Sequence, residues 1–409
     1  MAAAPNLMKA IDAGSLQRIV VAHRAFVEGR PGGRRANLSY CDLTNAKLEN
    51  VNLREAEITG ARLNGALLYR TSFDGATLYG VDLRNADLRE ASMVRTDLRG
   101  ACLRGANLSG ANLAGCDLRE GRIALADAQE GLKMLKHELK PGELDYAILT
   151  GANLEGAVMS GMHAMSADFS DANLTGVSLT KAKLGKAMLD GADLAGADLF
   201  GADLSGASLR RAMLAGVDVS GADLKGADLT GALTAPPMSV YIDDKPLHEI
   251  LDSHERWCDS GGAEGEVACH AEADFRYVKS LAGRRLPGLV ARGAIFYGMS
   301  MQGAQLQGAD LTGADLRKVN LADADLRGAK LIDADLTRAD LRGTKMGPLM
   351  ITNDRFIRAD LTRAKFRGAD MRGAVMQRAR LIEADLSGVR LDGADLARAE
   401  IEGAKGLPG

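Results

Sequence analysis

A five-residue word constrains this chain before anything else does. It is cleanest between Gly191 and Thr230, where GADLAGADLFGADLSGASLRRAMLAGVDVSGADLKGADLT runs without a slip. A small residue stands two places before each Leu-type residue, and these centres fall at Leu194, Leu199, Leu204, Leu209, Leu214, Val219, Leu224 and Leu229. A helix turns every ~3.6 residues and a strand alternates every two, so neither keeps a period-five apolar position on one side. A chain that bends through a right angle after each word does keep it there. Four words then close a square coil, coils stack into a solenoid, and the centre and the small residue before it point inward.

The A-(D/N)-L-x-x word resembles that of the pentapeptide repeat proteins. The resemblance implies an all-β chain folded as a right-handed quadrilateral β-helix. It implies much less about function, because that family shares a fold more than an activity. Some relatives of this fold are known to resemble duplex DNA in shape and charge and to bind type II topoisomerases. Two functional expectations follow: a non-enzymatic scaffold that binds a protein partner on its outer faces or insertions, and alternatively a DNA mimic that binds and protects a topoisomerase such as gyrase.

Residues 6–29 lie outside the repeat. Leu7, Met8, Ile11, Leu16, Ile19, Val20, His23, Phe26 and Val27 recur at helical spacing, which predicts one or two short helices within a cap over residues 1–34. Such a cap covers the open end of the first coil. Centres then recur every five residues from Leu38 to Ile123. A break at 124–146 follows, in which LKMLKHELKPG reads as a short helix ended by Pro141 and Gly142. The words resume at Leu149, one residue out of phase, and run to Leu229 with Ala164 as a weak centre, so 35–234 is read as a first solenoid.

Pro236 and Pro237 end that array, and LHEILDSHERWCDSGG begins a second helical pattern. Leu16, Ile19, His23 and Phe26 match Leu247, Ile250, His254 and Trp257 at one constant offset. After one inserted residue, Ala36, Asp42 and Lys47 match Ala268, Asp274 and Lys279. The expectation is a tandem duplication: an insertion over 235–285 that resembles the cap, then a second solenoid over 286–409 with centres from Phe296 to Ile401. Ile351 and Phe356 keep its phase. His23, Phe26, His254 and Trp257 are expected to sit where each helix meets its first coil. The tail GAKGLPG supplies no closing helix, which makes a second copy of the chain a candidate partner at the uncapped last coil.

The formal net charge of -3 announces neither a nucleic-acid binder nor a strongly acidic mimic, and direct nucleic-acid binding is not expected. Five cysteines form no framework, and Cys41 and Cys116 occupy the small inward position, a usage that suits a reducing compartment. No secretory leader is read at the start, and no apolar run approaches the ~20 residues of a membrane span, so a cytoplasmic location is expected. No P-loop, dinucleotide fingerprint, G-x-S-x-G or H-E-x-x-H is present, and a solid Leu core leaves no interior pocket. No catalytic residue and no cofactor are therefore expected. His254, Cys258, Cys269 and His270 have the side chains of a zinc site, but only the histidine recurs in the N-terminal copy, which favours packing or hydrogen bonding.

Two charge patterns nominate outer surfaces. Lys318, Arg338, Arg358, Arg378 and Arg398 recur every twentieth residue and predict a vertical basic stripe. It is either a salt-bridge ladder neutralised by Asp340, Asp360 and Glu400, or a face for an acidic partner, phosphate or anionic lipid. Between Ala147 and Leu233 acidic residues outnumber basic ones, and Asp198 with Asp218 and Asp203 with Asp223 predict an acidic patch.

Overall fold

A computed structural model describes residues 8–125, 136–352 and 355–407. The chain forms a β-helix solenoid in two compact units, Met1–Ala235 and Pro236–Gly409, each with its own apolar core.

Hydrogen bonding explains why the word has five residues. Leu63 N–H donates to the Asp82 carbonyl of the next coil at 2.7 Å, and Gly65 N–H to the Arg84 carbonyl at 2.9 Å. Ala66 N–H closes a turn on the Leu63 carbonyl at 3.0 Å, while Leu67 N–H reaches back to Ala46 of the previous coil at 2.9 Å. One amide per word remains, two places after the Asp or Asn, and that side chain accepts it. Asp82 Oδ1 takes the Arg84 amide at 3.2 Å, and Asn107 Oδ1 takes that of Ser109 at 3.1 Å. Every amide of such a word has a partner, which a buried backbone requires. The third turn position has positive φ and is usually glycine, such as Gly65 at 66°, because an L side chain is disfavoured there.

In the first unit these words stack in four rows. One runs Asp42, Arg62, Asp82, Cys102; a second Asn37, Glu57, Thr77, Asp97, each residue bridging the one twenty further on. Leu38, Leu63, Leu98 and Leu204 are fully buried between the rows, as is Ala164. Thr71 and Thr96 replace the small inward alanine, and their buried hydroxyls donate to the Leu48 and Phe73 carbonyls of the preceding coil at 2.6 and 2.8 Å. The first coil is led by strand β1 (Lys9–Ala10) and helix α1 (Ala13–Val27). Asp12 caps α1 by accepting the Ser15 amide at 2.9 Å, and β1 pairs in parallel with β2 (Cys41–Asp42). One helix forms here, packing Leu16, Ile19 and Val20 against the core, with Ile11 just ahead of it.

The break in this unit differs from its expected form. Lys136–Lys140 (β4) is a strand, paired antiparallel with β3 (Gly121–Leu125), so the helix expected over LKMLKHELK does not form there; residues 126–135 lie outside the described chain. Ile123 belongs to this pair, opposite Glu138, and is not a coil centre. Stacking resumes one word before Leu149: Cys102 bridges Glu143, and Leu144 is the fully buried centre above Leu103.

The second unit opens with β5 (Tyr241–Ile242), β6 (Lys245–Pro246) and helix α2 (Leu247–Asp259), whose Leu247, Ile250, Leu251 and His254 are buried. Its coils begin upstream of 286. Cys269 bridges Val290 and Asp274 bridges Ile295, with Phe275 and Leu281 fully buried. A 3₁₀ turn at Phe275–Val278 makes one word six residues long and hides the phase from a period-five count. Farther on, Lys330 bridges Asp360 and Lys345 bridges Val375, thirty residues apart instead of twenty. The extra ten residues leave the wall as β7 (Leu349–Thr352) and β8 (Arg355–Ile357). Ile351 and Phe356 therefore keep the phase without being centres, and Ile351 is exposed.

Candidate interaction surfaces

The charged faces are built from an Asp-x-Arg fork. Asp82 Oδ1, which already accepts the Arg84 amide, also accepts Arg84 Nε at 2.8 Å, and Arg84 Nη2 reaches Oδ2 at 2.6 Å. Asp87–Arg89, Asp97–Arg99 and Asp117–Arg119 repeat it in the first unit. Asp274–Arg276, Asp325–Arg327, Asp340–Arg342 and Asp370–Arg372 repeat it in the second. The forks hold the Asp340 carboxyl below its ordinary value, first through the Arg342 hydrogen bond. An exposed pair contributes at most ~1 kcal/mol, so the fork orders the corner and neutralises it more than it stabilises the fold.

The five cations of the expected stripe do not share one corner. Lys318 and Arg338 follow Asp315 and Asp335, and that row continues through Lys365 and Asp385. Arg378 and Arg398 follow Val375 and Asp395, in a row two words farther round the coil. Arg358 lies at the exit of β8 and pairs with Glu400, which also binds Arg380 at 3.2 Å. The β7–β8 excursion is the cause: it adds two words without changing the phase. Of the anticipated counter-ions, Asp340 is held in its own fork, and Asp360 lies 3.7 Å from Arg380.

Asp198 continues the row of Ser178, but its step to Asp218 is irregular: Gly201 N–H donates to the Gly221 carbonyl at 2.8 Å, one residue beyond the usual partner. Asp203 bridges Asp223. Each of the four acids accepts the amide two places on, from Phe200, Ser205, Ser220 and Lys225, at 2.9–3.1 Å. Their sequence signal is thus explained by turn chemistry.

The two histidines occupy matching places. His23 Nδ1 accepts the Ala36 amide at 3.0 Å, and His254 Nδ1 accepts the Ala268 amide at 2.8 Å, both rings fully buried. Phe26 stacks on His23 with centroids 5.8 Å apart, and Trp257 meets His254 edge-on at 5.9 Å. With Nδ1 accepting, the proton sits on Nε2. In His254 it points to the Pro287 carbonyl at 3.1 Å, while His23 Nε2 is buried beside the Arg54 backbone without hydrogen-bond geometry. A second proton would set two N–H groups against each other, and burial depresses both pKa values below 6.5. Their stabilisation is therefore complete above pH 6.5 and is lost as pH falls through the depressed folded-state values. His270 shifts the same way, whereas Asp203 and Asp340 move down from 3.8 and act at lower pH. His23→Gln with His254→Gln is expected to lower neutral stability by about 1–3 kcal/mol. The double variant should also flatten the loss of thermal midpoint between pH 6.5 and 5, and an unchanged pH profile would contradict the assignment.

The remaining zinc-type residues do not converge. Cys258 Sγ lies 3.7 Å from the Arg285 carbonyl, Cys269 is exposed, and no group of three or more His, Cys, Asp or Glu among the described residues could hold a metal ion. Burial pushes Cys102 up to about 11 and Cys116 up to about 12, so neither is a ready nucleophile. No helix among the described residues is long and apolar enough to cross a membrane.

The pattern of charges did not point to an apolar surface on the first unit. Tyr146, Ile148, Met165 and Met188 are 62%, 41%, 50% and 45% exposed. Tyr146 N–H donates to the Met165 carbonyl at 3.0 Å, and a Cβ placed on Gly185 would lie 3.7 Å from Met165 Cγ, which links three successive coils. Corresponding positions elsewhere hold Arg104, Asn107, Lys225 and Asp228. Lys186 precedes Met188 by two residues, while Lys183 lies in the neighbouring row and bridges Asp203, whose carboxyl it helps to hold down. The sequence signal was available: a hydrophobic residue at an outward position of the word.

A family model described as pentapeptide repeats matches residues 34–68, 66–105, 101–120, 167–206, 192–231, 286–317, 309–346, 355–378 and 374–405. Among solved structures, the chain is similar to HetL, a pentapeptide repeat protein involved in heterocyst differentiation regulation from the cyanobacterium Nostoc sp. strain PCC 7120. The identity is 24%, over 96% of this chain and 96% of that chain, with a TM-score of 0.20. It is also similar to the pentapeptide repeat protein Rfr23 from the cyanobacterium Cyanothece 51142, at 32% identity over 32% of this chain and 85% of that one, TM-score 0.23. A third is QnrB1, a plasmid-mediated fluoroquinolone resistance protein, at 19% identity over 46% and 91%, TM-score 0.29. No curated protein matches the chain.

Proposed function

The chain belongs to the pentapeptide repeat family, and from that premise we propose that it is a non-enzymatic scaffold that holds a protein partner on an outer wall of its first unit. Its architecture on this reading is two tandem right-handed quadrilateral β-helices, each led by a helix whose histidine accepts the first coil amide. The observation that carries the function is the exposed cluster of Tyr146, Ile148, Met165 and Met188. Four exposed apolar side chains within three successive coils, with Asp168 between Ile148 and Met188 in their row, favour a partner contact. Lys186, two residues before Met188, suits a partner segment that combines apolar and acidic side chains.

Topoisomerase binding by DNA mimicry is less well supported. A duplex mimic needs a continuous acidic face, and here the carboxylates of Asp82, Asp87, Asp97 and Asp117 are each matched by an arginine at 2.6–2.7 Å. The expected patch of Asp198, Asp203, Asp218 and Asp223 lacks such forks, but by itself it covers only two coils of the wall.

The test uses a photo-crosslinking residue at Met165 in the native cell, followed by binding of the captured protein to purified wild type and to Met165→Glu/Met188→Glu. Both positions are exposed, so the fold is retained and affinity is expected to drop at least about tenfold. Equal affinity for the two proteins would sink the reading.

A further inference from the structure

A second surface, on the other unit, has a different chemistry. The β7–β8 pair leaves the wall after Met346 and rejoins it at Ala359. One side seats on the solenoid: a Cβ on Gly328 would come 2.8 Å from Leu349 Cβ and 3.4 Å from Ile357 Cβ. Met350 and Ile351 are each 56% exposed, and Ile357 remains 47% exposed at the edge. Val375, in the next stacked word, is 37% exposed.

Arginines lie on the excursion and on the wall at its base. Arg378 and Arg358 place their guanidinium carbons 5.4 and 5.8 Å from the Phe356 ring centre, fixing the base of the excursion. Arg398 lies one coil beyond Arg378 at the same corner, and Arg355 is on β8 itself. Arg378 and Arg398 hold left-handed backbone, φ 56° and 60°, at a position glycine fills with less strain. Among the described residues the nearby acids are engaged: Glu400 by Arg358 and Arg380, Asp395 by Gln377 and the Ala397 amide; Asp354, which precedes Arg355 in sequence, lies outside them. Arg355, Arg378 and Arg398 form no ion pair with described residues, unlike the forked arginines of the same unit.

We propose that this excursion is a peripheral docking site for an anionic lipid surface, with Met350 and Ile351 entering the interfacial layer and Arg355, Arg378 and Arg398 meeting headgroup phosphates. An exposed apolar pair with cations on the same excursion and on the wall beside it suits a planar anionic interface, whereas an acidic peptide is better held by a groove. Guanidinium groups bind phosphate through paired donors, which favours arginine over lysine at these positions. Neither element alone gives firm attachment, and the two together act as the paired signals that peripheral binding needs.

The experiment is co-sedimentation of the full chain with vesicles of phosphatidylcholine alone, and with vesicles in which half is replaced by phosphatidylglycerol. Wild type is expected to sediment only with the anionic vesicles, and less as salt rises, since exposed charges are screened beyond about 10 Å at 0.1 M. Each arginine near such a surface contributes about fivefold in partitioning, so Arg355→Gln/Arg378→Gln/Arg398→Gln should weaken binding on the order of 100-fold. Met350→Ser/Ile351→Ser should abolish the salt-resistant fraction, and Lys318→Gln/Arg338→Gln, on another corner, should bind as wild type. Absence of wild-type binding, or wild-type binding by the arginine triple, overturns the proposal. Binding to immobilised polyglutamate but not to vesicles overturns it in favour of an acidic protein partner. Because Met165→Glu/Met188→Glu lies in the other unit, its vesicle binding separates this result from the fate of the wall contact.

Discussion

Leu204→Lys is expected to destabilise the first unit by at least about 5 kcal/mol and to make its coils susceptible to protease under native conditions. Leu204 is fully buried, with its amide bonded to the Asp223 carbonyl at 2.8 Å and its carbonyl closing the turn with Ala207 at 2.9 Å. The backbone therefore cannot swing the side chain out without losing coil pairing. An ammonium group there loses its hydration and gains no counter-ion, because the core cluster that Leu204 belongs to consists of hydrophobic residues. Coils contact mainly their neighbours, so damage at one spreads along the stack. The second unit has a separate core and should keep its own transition. Phe200→Lys is the matched control: Phe200 is 64% exposed on the adjacent word and should change stability by no more than about 1 kcal/mol. An unchanged unfolding midpoint for Leu204→Lys would refute the inward assignment of the centres.

Deletion of residues 1–33 is expected to convert the protein into a self-associating species. Helix α1 and β1 together cover the first coil. Lys9 N–H pairs with the Tyr40 carbonyl at 2.8 Å, His23 takes the Ala36 amide, and Leu16, Ile19 and Val20 lie against the core. Without them the Ala36 amide and the strand edge at Cys41–Asp42 lose their partners, while the Leu38, Leu43 and Leu53 side chains are uncovered. An open edge over an apolar column is a template for another chain. Light scattering across a concentration series should show growing mass for the deletion and a constant mass for the full chain. A deletion that stays at the full chain's oligomeric state at high concentration would remove the capping role. His23→Gln isolates the hydrogen bond from the covering surface: it should cost stability without producing association.

The local physics of the word was legible in the sequence. A turn that favours glycine at its third position, an Asp or Asn that accepts the amide two places on, and a small residue before each centre are all short-range requirements. They identify Leu204 as core and Asp203 as a turn residue from their places in the word, and the shared offset between His23 and His254 and their neighbours marks the two capping places. Stacking is a different matter, because it depends on which residue lies above which. The count of five gives position within a word but not the number of residues that leave the wall. The ten extra residues around β7 and β8 preserve the phase, so the sequence predicted one stripe where two rows and a detached Arg358 exist. The six-residue word at Phe275 and the β3–β4 pair hid the true starts at Cys269 and Leu144 for the same reason. The sequence by itself determined the repeating unit and its core, since those follow from bonds within and beside each word. Only the tertiary structure decided which outer side chains become neighbours, because that depends on backbone pairing between coils twenty, thirty or forty-one residues apart.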